Sequence, residues 1–186
     1  RGDDPGAMRA LARQVLEAGV TRIEGGIVGD DDLFDDKGFG DGWTLDNMPY
    51  GYAAPVSALT YNEGSVDLVV QAGKAMGDPV VVQVRPEGSG LRIDNKLVTV
   101  SATGTGALTL TRLPGSSHVT VQGQIPADSP IFARTASVDN PTLFFATAFR
   151  RALLAEGVQV IGDAIDIDDF ASKPDLTAAR TLVTRR

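Results

Sequence analysis

The sequence predicts a mixed α+β fold: a small α/β unit built from the two chain ends, with an all-β unit, an antiparallel barrel or sandwich, inserted between them. Three observations predict it. Apolar residues at helical spacing occur only near the two ends. Both end segments run helix, glycine, strand. Between Val56 and Val138, glycine and proline cut the chain into short β-rich runs without a helical period. The boundaries that follow are residues 1–55 with 139–175 for the α/β unit and 56–138 for the β-rich unit. Residues 176–186 belong to a polar tail that leads elsewhere.

In order along the chain, Asp4 is placed to cap a first helix, Pro5 suits its first turn, and Gly19 closes it. Met8, Leu11, Ala12, Val15 and Leu16 form one apolar face. A strand is expected over Arg22 to Val28, and its Gly25-Gly26 pair signals a bulge or a close backbone approach. At the other end Asn140 and Pro141 start a helix that Gly157 stops, and a strand over Val158 to Ile161 follows, extending toward Ile167. Leu16-Glu17-Ala18-Gly19-Val20 echoes Leu154-Ala155-Glu156-Gly157-Val158, and both passages continue to a Gly-Asp pair, Gly29-Asp30 and Gly162-Asp163. In the middle, strands are expected at Val66–Val70, Val80–Val84, Leu97–Ala102, Leu108–Leu113, His118–Val121 and Ile131–Ala133.

Composition excludes several function classes. Seventeen basic against twenty-four acidic side chains leave a net charge of −7, which repels a phosphate backbone, so nucleic acid is not an expected partner. No apolar run approaches the ~18 residues that span a bilayer, so no membrane insertion is expected in this segment. With no cysteine there is no disulfide, zinc ribbon, iron–sulfur cluster or thiol chemistry. The single histidine, His118, lies next to Ser117, but adjacent strand residues face opposite ways, so it reads as an edge-strand or turn residue.

Two acidic loops invite a calcium reading: Asp30, Asp31, Asp32, Asp35, Asp36 and Asp41, and later Asp163, Asp166, Asp168 and Asp169. Alternate-position ligand spacing fails in both, because Phe34 and Phe170 fall where ligands are needed. They read as solvated loops, and neither a metal nor a cofactor is expected. Gly104-Thr105-Gly106 has Thr109 at the third glycine place and a strand after it, which voids a dinucleotide loop. The aromatic stretch Phe34, Phe39, Trp43, Tyr50, Tyr52 and Tyr61 either lines a binding cleft or plugs the joint between the two units.

Gly29-Asp30-Asp31-Asp32-Leu33-Phe34-Asp35-Asp36, Gly40-Asp41-Gly42-Trp43 and Pro49-Tyr50-Gly51-Tyr52-Ala53-Ala54-Pro55-Val56-Ser57-Ala58-Leu59-Thr60-Tyr61-Asn62-Glu63 resemble the inserted region of the serine D-Ala-D-Ala carboxypeptidases, the class C low-molecular-mass penicillin-binding proteins. Gly2-Asp3-Asp4-Pro5 and Leu153-Leu154-Ala155-Glu156-Gly157-Val158 fit the same insert. The family's catalytic motifs are S-x-x-K, S-x-N and K-T-G. No serine here has lysine three places on or asparagine two places on, and no lysine precedes Thr-Gly. The resemblance therefore implies an insert without its host, inactive alone, with no catalytic residue of its own. Its expected partners are the catalytic domain of the parent chain and the peptidoglycan stem peptide, with Trp43, Tyr50 and Tyr52 as substrate-binding residues. Residues 176–186 would lead back to that catalytic domain, and the location implied is the cell envelope, periplasmic or extracytoplasmic. The other reading is a free-standing secreted module that binds glycan or a protein partner.

Overall fold

The computed structural model describes residues 5–184. The expected cap at Asp4 and the Gly2-Asp3-Asp4 stretch lie outside them. The chain forms two compact units. The first ends at Asp36, takes in Ser57–Asn62 and resumes at Pro141; the second comprises Lys37–Val56 and Glu63–Asn140.

In the first unit, helix α1 spans Pro5–Glu17, strands β1 and β2 are Arg22–Ile23 and Ile27–Gly29, and helix α2 is Pro141–Ala155. Strands β9 (Gln159–Val160) and β10 (Ala164–Asp166) follow α2. The helices end alike. The Gly19 N–H bonds the Leu16 carbonyl at 2.9 Å and the Val20 N–H that of Val15 at 3.3 Å; Gly157 and Val158 repeat this onto Leu154 at 3.2 Å and Leu153 at 2.9 Å. Both are Schellman closures, and both glycines hold the positive φ that such a closure requires, +89° and +93°. The echo between the ends is thus a repeated stop signal that sends each helix into a parallel strand.

The two copies pair with each other. β1 runs parallel to β9, Arg22 beside Gln159, and β2 parallel to β10, Ile27 beside Ala164. The single strand expected over Arg22 to Val28 is broken at Gly25-Gly26, and the one after α2 is broken at Gly162. These breaks are the close approach that the glycines signalled: Gly162 N–H donates to the Gly25 carbonyl at 3.0 Å, and Ile27 N–H to that of Asp163 at 2.9 Å. A Cβ on Gly26 would lie 2.4 Å from the Asp163 carbonyl oxygen, and one on Gly162 2.6 Å from the Gly26 nitrogen. Gly162 therefore stands opposite Gly25, and the two Gly-Asp pairs are not equivalent positions. Met8, Ala12 and Val15 of α1 are buried with Ala152, Leu153, Val158 and Val160 as the core of this unit, whereas Leu11 and Leu16 of the expected face are only partly covered. Arg13 of α1 donates to Glu156 just past α2 at 2.8 Å.

The second unit holds the six strands expected in the middle of the chain. β3 (Ser65–Gln71), β4 (Val81–Arg85) and β8 (Phe132–Ser137) form one antiparallel sheet in the order β4-β3-β8. β5 (Arg92–Val100), β6 (Ala107–Thr111) and β7 (His118–Pro126) form another in the order β5-β7-β6. Of the two expected forms, an antiparallel barrel or a sandwich, the barrel is not the one formed, and one strand pair is not antiparallel. The sheets do not close, and β5 pairs parallel with β7, Arg92 beside His118 through Val100 beside Pro126. The reason is topological: β6 returns along the far edge of β7, leaving the other edge open for β5 to join in the same direction. His118 consequently opens a central strand rather than an edge one. Segment 73–80 ties the sheets together: the Gly73 N–H meets Thr99 Oγ1 at 3.1 Å, and Asn95 Nδ2 donates to the Val80 carbonyl at 2.8 Å. Val66, Leu68 and Val70 on β3 and Val119 and Val121 on β7 are fully buried, the alternation of strands with one covered face.

Gly162→Ala should cost about 1–3 kcal/mol or more, because its methyl would run into the Gly25–Gly26 peptide group. Gly19→Ala, with open space around it, should lose only the left-handed penalty of about 1–2 kcal/mol; urea unfolding of both variants checks the order. The Arg13 hydrogen bond holds the Glu156 carboxyl below its ordinary value of 4.5. That contribution is present above the unfolded value and lost as pH falls through the depressed folded value. Glu156→Gln should therefore flatten the acid limb of the stability–pH curve, measured by thermal melts from about pH 6 to 3.

Candidate functional site

The loop 37–56 of the second unit is built from short turns. Trp43 N–H bonds the Gly40 carbonyl at 3.4 Å, Asn47 N–H that of Thr44 at 3.0 Å, and Tyr50 N–H that of Asn47 at 3.0 Å, before a single 3₁₀ turn at Gly51–Ala53. Tyr50 forms an isolated bridge with Ala136 of β8, and a Cβ on Gly51 would lie 2.7 Å from that of Thr135, so glycine lets the loop lie against the strand. The Tyr50 hydroxyl accepts the Leu110 N–H at 3.3 Å.

What fixes this loop is Arg112. Its guanidinium, 8% exposed, donates to the carbonyl and hydroxyl of Ser137, each at 2.8 Å, and to the Met48 carbonyl at 3.1 Å. The Ser137 hydroxyl donates in turn to the Met48 carbonyl. Burial draws the arginine below its ordinary pKa, opposed by the field of Asp139. Nothing in the sequence singled out Arg112, since an arginine at the end of an apolar strand reads as surface.

The structure divides the expected aromatic group. Tyr50 and Tyr52 stack with ring centres 5.6 Å apart and planes within 6°, and the Tyr52 hydroxyl donates to Asn47 Oδ1 at 2.9 Å. Trp43 pairs instead with Phe39 at 5.8 Å. Trp43 and Tyr52 are exposed, 40% and 70%. Phe34 and Tyr61 belong to the first unit, where Tyr61 packs edge-on against Phe144 at 5.1 Å. A cleft of about 710 Å³ lies between residues 45–50 and the β6–β7 hairpin, and Tyr50 and His118 are among its lining. The neighbour of His118 is Ser116, whose Oγ accepts the His118 N–H at 3.1 Å; Ser117 instead uses its carbonyl to accept from Arg92.

The two acidic loops do meet, within the first unit. Asp31, Asp166 and Asp168 bring carboxylate oxygens within 4.8 Å of one another. Three such oxygens fall short of the six to eight that calcium takes. A cation of this chain already stands beside them: Lys173 bridges Asp32 and Asp168, and chiefly through its hydrogen bond to Asp32 its pKa is pushed up to about 12. Asp31 Oδ2 accepts from the hydroxyls of Ser57 and Thr142, which lie 2.8 Å from each other. Ser57 Oγ also reaches the Leu59 carbonyl and accepts the Leu59 N–H, so it is held in a turn.

Among the described residues the fold is a mixed α+β arrangement of two α-helices and several small sheets. The D-Ala-D-Ala carboxypeptidase 3 (S13) family matches residues 2–182, and the chain belongs to that family. It is 32% identical over 159 residues to a D-alanyl-D-alanine carboxypeptidase of Actinomadura sp. (strain R39), a match that covers 83% of this chain and 30% of the relative. Its fold is similar to penicillin binding protein 4 of Haemophilus influenzae, with a TM-score of 0.73 at 17% identity, over 91% of this chain and 37% of that one. The complex of that protein with a novel β-lactam gives a TM-score of 0.58 at 16% identity, over 86% and 32%. The chain thus spans about a third of the length of these relatives. No helix among the described residues is long and apolar enough to cross a membrane.

Arg112→Met keeps the volume but removes the donors to the Ser137 carbonyl and hydroxyl and leaves the Met48 carbonyl only the Ser137 hydroxyl, and should cost about 3 kcal/mol in chemical denaturation. The same variant should free Tyr50, seen as a loss of near-ultraviolet circular dichroism.

Proposed function

We propose that this chain is a non-catalytic accessory insert of a peptidoglycan D-Ala-D-Ala carboxypeptidase or endopeptidase of the serine, penicillin-binding type. One observation carries the reading: a chain that matches the family from residue 2 to 182 holds none of S-x-x-K, S-x-N and K-T-G. The acylated serine, its activating lysine and the groups that hold the substrate carboxylate therefore belong to another part of the parent, with which this chain partners. In that parent an acyl-serine forms and is hydrolysed, releasing the terminal D-alanine or opening a cross-link. The substrate places the assembly outside the cytoplasm, in the cell envelope.

The role of the insert is to contact the stem peptide. Trp43 and Tyr52 supply the exposed rings for that contact, and Tyr50, tied to Leu110, is the base on which Tyr52 stacks. Rings give large contact area for little entropy.

The isolated chain, incubated with a fluorescent penicillin and run on a denaturing gel, should carry no label; stoichiometric labelling overturns the reading. In a chimaera that puts this chain in place of the matching segment of the Actinomadura enzyme, Trp43→Ala with Tyr52→Ala should lower kcat/KM for a stem peptide about tenfold, equivalent to about 1.4 kcal/mol. Penicillin acylation of the same chimaera should be unchanged.

A further inference from the structure

We propose that the cleft beside β6 binds an uncharged saccharide, a run of N-acetylated amino sugars such as a cell-wall glycan presents. The cleft, about 710 Å³, has the volume of a small-ligand pocket. One side is apolar and fixed: the Tyr50 ring, beside Pro49, is held by its hydroxyl on the Leu110 N–H, while the Leu110 side chain turns to the opposite face of the hairpin with Val121. Such a side suits the C–H face of a sugar ring.

The wall carries the polar half of the argument. Strand register sets Thr109 beside Gln122 and Thr111 beside Thr120, so these side chains stand on one face of the hairpin with His118. The Thr111 hydroxyl, the Gln122 carboxamide and the His118 imidazole make no hydrogen bond to another described residue, although all three line the cleft. A hydroxyl, an amide and an imidazole are donors and acceptors together, which matches sugar hydroxyls and acetamido groups. The charge balance argues against an anionic ligand. The one arginine lining the cleft, Arg112, gives both terminal nitrogens to Ser137 and Met48, and Asp46 adds a carboxylate.

Choosing a saccharide among uncharged polar ligands rests on the cell-wall reading above; the cleft shares Tyr50 with that contact, but neither Trp43 nor Tyr52 lines it. The test titrates the 186-residue chain with a β-1,4-linked tetramer of N-acetylglucosamine, followed by amide chemical shifts and calorimetry. Saturable binding is expected, with shifts centred on β6 and the start of β7. Thr111→Val with Gln122→Ala should weaken it about tenfold or more, and Trp43→Ala should leave it unchanged. Both wall residues are exposed, so the double variant should keep the parent melting curve, which separates lost contacts from lost fold. Absence of saturable binding, equal binding by the double variant, or displacement of the tetramer by a free stem peptide overturns the proposal. Penicillin labelling reads the accessory-insert proposal by itself: an unlabelled chain that ignores the tetramer defeats only the glycan site, and a labelled chain that binds it defeats only the insert reading.

Discussion

The first unit depends on a contact between backbones. Gly25 and Gly26 lie against Gly162 and Asp163 so closely that no side chain fits there, and the ladder crosses this point from Thr21–Gln159 to Ile27–Asp163. Strands of two or three residues are too short to persist by themselves. They hold because α1 and α2 bury Met8, Ala12, Val15 and Leu153 beside them, and because Arg150 Nε fixes the Gly162 carbonyl at 2.7 Å. Parallel partners need a long crossover. Here that crossover includes the whole β-rich unit, Lys37–Val56 and Glu63–Asn140, and between these stretches Ser57–Asn62 returns to the first unit, where Tyr61 packs against the core.

The second unit solves a different problem, how to keep a long aromatic loop in one conformation. Hydrophobic burial contributes little there, since most of residues 41–47 are exposed. A buried guanidinium does the work instead, joining the Met48 carbonyl to the end of β8. Burying such a charge is costly unless its donors are satisfied, and the two Ser137 oxygens with the Met48 carbonyl accept from three of its five N–H groups. Tyr50 is then fixed between Ala136 and Leu110, and Tyr52 stacks outward on a rigid base. Rigid rings lose less freedom on binding than mobile ones.

Most of the architecture was legible in the sequence because it is written in local signals. The helix stops at Gly19 and Gly157 and the turn residues between the middle strands are such signals, and all six middle strands fall where they indicate. Strand lengths were less legible. β5 begins at Arg92 rather than Leu97, because Arg92, Asp94 and Lys96 look like loop residues when one face of a strand meets solvent. β7 runs on through Gly123, whose φ of +138° lets the backbone meet the Ala107 carbonyl. The parallel β5–β7 pairing is a property of strand order, which no run of residues encodes. The Arg112 network joins positions 48, 112 and 137, and such a joint exists only after folding.

The hydroxyl groups of Ser57 and Thr142 show how a cluster of reactive side-chain types is used as a structural joint. Asp31, Ser57 and Thr142 look on paper like the beginnings of a nucleophilic site: a carboxylate and two hydroxyls within hydrogen-bond reach. A nucleophile needs a base free to take its proton and a path for the substrate. Here the carboxylate oxygen that would serve is taken up by both hydroxyls at once, Thr142 is almost wholly buried, and Ser57 is closed into a turn with Leu59. A Cβ on Gly29 would come within 2.8 Å of Thr142 Cγ2, so even the backbone leaves no room beside it. The triad locks segment 57–62 to α2 and to the loop after β2. Thr111, Gln122 and His118 of the other unit line a cleft, and their side chains make no such bond to another described residue.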